Sequence, residues 1–78
     1  MQFYVNTIEQ IVDSEGNYSE YSKSEKVADF NSALSKFYKK LSDVSADIDK
    51  NHTYMHIQIV NSEGFVNKTE IIGTYVKG

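Results

Sequence analysis

The chain has 78 residues, a net charge of −3, a pI near 5.2, six Tyr and four Phe, and neither Cys nor Pro. This length allows one domain, 1–78, which buries only about 60% of its unfolded surface and has no room for both a large core and a deep substrate cleft. Without Cys there is no disulfide framework, thiolate metal site or thiol nucleophile, and the acidic balance opposes the counterion release that drives nucleic-acid affinity.

From the N-terminus, Phe3–Val12 reads as a strand that runs into Asp13-Ser14-Glu15-Gly16. The stretch Gln10–Gly16 recurs at Gln58–Gly64, with six of seven positions identical and Asn61 in place of Asp13. Asp or Asn at the first turn position accepts local backbone hydrogen bonds, and Gly three residues on takes the left-handed conformation. Each copy therefore predicts a three-residue hairpin loop with a Gly bulge. Duplication and convergent turn chemistry both account for the match.

The first hairpin joins Phe3–Val12 to Tyr18–Ser22. A helix follows, because Val27, Phe30, Leu34, Phe37, Leu41, Val44 and Ile48 recur at a 3-4 spacing on one face. The spacing of Ser22 and Glu25 fits a capping box, which puts the helix start near Ser22–Ser24. The helix is expected to fade at Ile48, before Asp49-Lys50-Asn51. The second hairpin joins His52–Asn61 to Phe65–Val76, and counting outward pairs Val60 with Val66, Gln58 with Lys68 and His56 with Glu70. The fold class is α+β, β-β-α-β-β: a four-stranded antiparallel sheet from two hairpins, with one long amphipathic helix on one face. Phe3, Val5, Ile11, Tyr21, Met55, Ile57, Ile59 and Ile71 are the candidates to cover that helix. Glu9 shares their parity, and a bulge near Thr7–Glu9 would turn it away.

The face away from the helix then carries Tyr4, Ile8, Val12, Tyr18, Tyr54, Val60, Val66 and Ile72, with Val76 beyond. An antiparallel sheet covered on one side normally presents polar residues outward, so this apolar content points to an interface. A homodimer is the commonest form such an interface takes, and docking of another protein is the other. Strand propensity alone also accounts for β-branched and Tyr residues.

His52 and His56 lie four apart, which on a strand is about 13 Å and too far to share an ion. No nucleophile elbow, phosphate loop or dinucleotide fingerprint occurs in the chain. The reading is a non-enzyme with no cofactor, metal or evident small-molecule substrate. Single-stranded nucleic acid stacked on Tyr4, Tyr18 and Tyr54 beside Lys68 is the alternative function, disfavoured by charge. The N-terminal decapeptide has no basic, apolar leader pattern and no apolar run approaches about 20 residues. With the lack of Cys, this makes a cytoplasmic location, with no membrane partner, the expectation.

The segment Ala33-Leu34-Ser35-Lys36-Phe37-Tyr38-Lys39-Lys40-Leu41-Ser42-Asp43-Val44, with His52-Thr53-Tyr54-Met55 and Gly73-Thr74-Tyr75-Val76, resembles small uncharacterised proteins of phages and prophages of low-GC Gram-positive bacteria. The resemblance implies an accessory protein of a phage or mobile element and transfers no functional residues.

Overall fold

Both copies of the repeated heptapeptide reverse the chain by the same bonds. Asp13 Oδ1 accepts from the Glu15 and Asn17 amides at 2.9 Å, and Asn61 Oδ1 from the Glu63 and Phe65 amides at 2.9 and 3.1 Å. Gly16 and Gly64 lie at φ 82° and 89°, which a Cβ disfavours. The Asp13 amide donates to the Asn17 carbonyl and the Asn61 amide to the Phe65 carbonyl, each at 2.9 Å, as the loop type requires.

The computed structural model describes residues 1–77. The first loop joins β1 (Phe3–Val12) to β2 (Tyr18–Val27); α1 (Phe30–Ser45) follows, and the second loop joins β3 (His52–Asn61) to β4 (Val66–Gly73). The fold is α+β in the order β-β-α-β-β, with one open antiparallel sheet ordered β2-β1-β3-β4. The two hairpins thus meet through their first strands. Among the described residues, no helix is long and apolar enough to cross a membrane.

The helix starts later than the capping-box spacing predicts. Ser22 and Glu25 belong to β2, which pairs with β1 without interruption from Phe3↔Val27 to Val12↔Tyr18. The cap is Asp29, whose Oδ1 accepts from the Ser32 amide at 2.8 Å. Val27 therefore completes the apolar period from the end of a strand, and Ile48 from the turn after the helix. Sixteen residues of helix span about 24 Å, shorter than the periodicity suggests.

α1 lies mainly over β1 and β3. Ala33, Phe37 and Val44 are buried against Val5, Val27, Met55, Ile57 and Ile59, with Phe3, Leu34, Leu41, Ile48 and Ile72 packed around them. Tyr21, expected in this core, is 56% exposed because β2 reaches past the helix. No bulge turns Glu9 aside, since the β1–β2 ladder is continuous there.

β4 departs from the expected pairing by one residue. Val60 faces Val66, but an irregularity at Asn67 then sets Ile59 against Lys68, Gln58 against Thr69, Ile57 against Glu70 and His56 against Ile71. A one-residue slip exchanges the faces of a strand. Ile72 therefore packs on the core and Ile71 points outward, the reverse of the sequence reading; Lys68 and Glu70 move to the helix side. Lys68 Nζ lies 5.7 Å from the Phe37 ring centroid and 5.3 Å from that of Tyr38.

Candidate functional site

With α1 on one side, the other side of the sheet has no second layer among the described residues, and the molecule measures only 15 Å through its thinnest direction. Reading across β2-β1-β3-β4, the outward residues form rows. Lys26, Tyr4, Val60 and Val66 make the first; Ser24, Asn6, Gln58 and Thr69 the second; Ser22, Ile8, His56 and Ile71 the third. Val66 is 52%, Ile71 57% and Ile8 41% exposed, while Tyr4 and Val60 are half-buried. A polar row thus divides the apolar surface. Within it Ser24 Oγ donates to Asn6 Oδ1 at 2.6 Å, and Thr69 Oγ1 lies 2.8 Å from Nε2 of His56 in the third row.

The far end of this face is strapped by the chain after β4. Gly73, at φ 73°, redirects the backbone, and a Cβ there would collide with the Thr53 carbonyl. The Thr74 amide donates to that carbonyl at 2.7 Å. The Gln10 side chain then holds Val76 at two points: Nε2 donates to the Val76 carbonyl at 2.6 Å, and Oε1 accepts from its amide at 2.8 Å. Tyr75 packs edge-on against Tyr54, with centroids 5.5 Å apart, and its hydroxyl donates to Glu20 Oε2 at 2.8 Å. That bond to Glu20 raises the Tyr75 phenol above its ordinary range.

Of the eight predicted surface residues, Tyr4, Ile8, Val60 and Val66 share the open part of the face. Tyr54 lies against the strap, Val12 and Tyr18 sit beyond it at the hairpin end, and Ile72 belongs to the core. Ile71 is the residue missed; the adjacent Ile71-Ile72 pair signalled one apolar residue per face without saying which. Lys68 is separated from Tyr4, Tyr18 and Tyr54 by the thickness of the sheet, so the grouping of these tyrosines with Lys68 does not form. The outward strand residues carry one lysine, Lys26, and one carboxylate, Glu20.

A second constellation lies on the helix side. His52 Nδ1 is 2.5 Å from Asp47 Oδ2, and its Nε2 is 3.0 Å from Glu9 Oε1, which also meets Lys40 Nζ at 3.1 Å. Both His52 contacts are hydrogen bonds only when each ring nitrogen carries a proton. The bond from His52, ahead of that from Asn51, holds the Asp47 carboxyl below the usual range. The chain Asp47–His52–Glu9–Lys40 ties the exit of α1 to β1 and β3. His52 and His56 consequently point to opposite faces, not to one as strand alternation predicts. Among the described residues, no group of three or more His, Cys, Asp or Glu is arranged to hold a metal ion.

Comparison with protein-family models, with curated proteins and with solved structures finds no match.

Proposed function

We propose that this protein is a non-catalytic interaction module that forms a homodimer through the open sheet face. The observation that carries this reading is a covered-on-one-side sheet whose uncovered side presents Tyr4, Val60, Val66, Ile8 and Ile71 in two rows. Exposed apolar surface of this kind on a small domain favours association. Charge supports a second copy as the occupant: the chain carries −3, yet the outward strand residues hold one lysine and one carboxylate, so two such faces meet without net repulsion. Area allows it: the molecule's 43 by 21 Å outline bounds the face, strapped end included, at roughly 900 Å², against about 800 Å² per partner in a standard interface.

Association by the sheet edges is less favoured. β2 carries Glu20, Lys23, Glu25 and Lys26, and β4 is interrupted at Asn67, both of which discourage strand addition. A cytoplasmic setting suits a chain without Cys, and an accessory role in a phage or mobile element follows from the resemblance alone.

Val66→Glu and Ile71→Glu test the face, because both side chains are more than half exposed and add charge without disturbing the core. In sedimentation velocity, each variant should shift the wild-type dimer to monomer with an unchanged circular dichroism spectrum. Dimerisation at wild-type strength in both variants would remove this face as the interface.

A further inference from the structure

Because β2 extends past α1, a cleft of about 80 Å³ remains between them on the helix side, lined by Val5, Thr7, Lys23, Glu25, Lys36 and Lys40. Three lysines and Glu25 line it and Glu9 reaches Lys40 from beside it, so three ammonium groups meet two carboxylates, a local reversal of sign in a chain of net charge −3. Lys36 Nζ meets Glu25 Oε2 at 3.2 Å and Lys40 Nζ meets Glu9 Oε1 at 3.1 Å, which leaves each ammonium with further N–H donors. Lys23 has no carboxylate partner among the described residues.

Thr7 supplies an independent observation. It is only 6% exposed, stands directly opposite Lys23 on the helix side of β1, and its Oγ1 is fully buried with no hydrogen-bonding partner among the described residues. Buried hydroxyls are nearly always bonded, and an unpartnered one beneath a polar cleft is free to donate to a group bound there once its χ1 rotates. On this measure a single water needs about 10–15 Å³, so the cleft has room for one small oxyanion.

We propose that this cleft binds a tetrahedral oxyanion, a phosphate or phosphoryl group, with the ammonium groups of Lys23, Lys36 and Lys40 as donors and the Thr7 hydroxyl completing the site. Lysine meets phosphate as a compact charge with rotatable donors, which suits a site approached from three directions. The site lies on the opposite side of the sheet from the proposed dimer face and does not depend on it.

The test is thermal unfolding and amide chemical shifts of the full chain, titrated with inorganic phosphate and with glycerol phosphate, against chloride at matched ionic strength. Saturable stabilisation by millimolar phosphate is expected, with shifts centred on Thr7, Lys23, Lys36 and Lys40. Tighter binding of the ester marks a phosphorylated small molecule as the ligand; equal or weaker binding marks the free ion. Lys23→Met and Thr7→Val should each weaken binding about tenfold, whereas Lys39→Met, outside the cleft, should leave it unchanged. A response equal to that of chloride, or one undiminished in Lys23→Met, would overturn the proposal even if Thr7→Val fails to fold.

Discussion

Gln10 is a polar residue at 3% exposure near the end of β1, and its burial is explained by what it holds. Its amide bonds both backbone groups of Val76, and its Oε1 also accepts from Thr53 Oγ1 at 2.7 Å. Gln10→Ala leaves those groups without their partner and should cost about 1–3 kcal/mol in urea denaturation. The strap should then detach, seen as faster amide exchange at Val76. Asp47 gives a prediction in pH. Its carboxyl is held below 3.8 in the folded state, chiefly by the bond from His52. A carboxyl depressed on folding adds stability that is complete above its unfolded value and lost as pH falls through its folded one. Asp47→Asn should therefore be less stable than wild type above about pH 5, with the difference closing below 3.8. Urea denaturation across that range reads the trend, and a difference that persists undiminished in strong acid would contradict it.

At the scale of elements, the two hairpin loops rest on the same backbone requirement. Gly16 and Gly64 have open space around a notional Cβ, so Ala substitution meets no clash and costs only the left-handed backbone, about 1–2 kcal/mol in chemical denaturation. Deleting Asn67 is a sharper test, because Asn67 is the extra residue between the pairs Val60↔Val66 and Ile59↔Lys68. Without it Val66 and Lys68 become neighbours on a regular ladder, and the pairs from Ile59↔Lys68 to Met55↔Ile72 keep their faces, with Ile72 still in the core. The deletion should therefore lower the melting temperature no more than either Gly change, and loss of the second hairpin would contradict this register.

The loops and the β1 and β3 boundaries were legible in the sequence because turn chemistry is local. The helix start was not, since the 3-4 spacing ran through Val27 into a strand whose pairing with β1 overrides it. Glu9 was legible as a conflict but not in its resolution, because Lys40 and His52 reach it from distant parts of the chain. The strap was invisible for the same reason: Gln10 and Val76 are 66 residues apart.

As a whole, the molecule is a thin slab, 43 × 21 × 15 Å with a radius of gyration of 13.2 Å, against about 11.5 Å expected for a compact chain of this length. A single helix on a four-stranded sheet leaves, among the described residues, eight buried apolar residues as the core and the opposite face open beyond the strap. A second copy on that face would make a thicker particle with a helix on each outside, and it would place the phosphate clefts outward, clear of the interface. The apolar rows, balanced charge and blunted edges all lead to the same expectation of a face-to-face dimer.

The most direct measurement is the solution mass by size-exclusion chromatography with light scattering. The account predicts about 18 kDa, twice the 8.9 kDa of the chain. A mass near 9 kDa that holds as concentration rises would contradict it, showing that the open face does not join two copies.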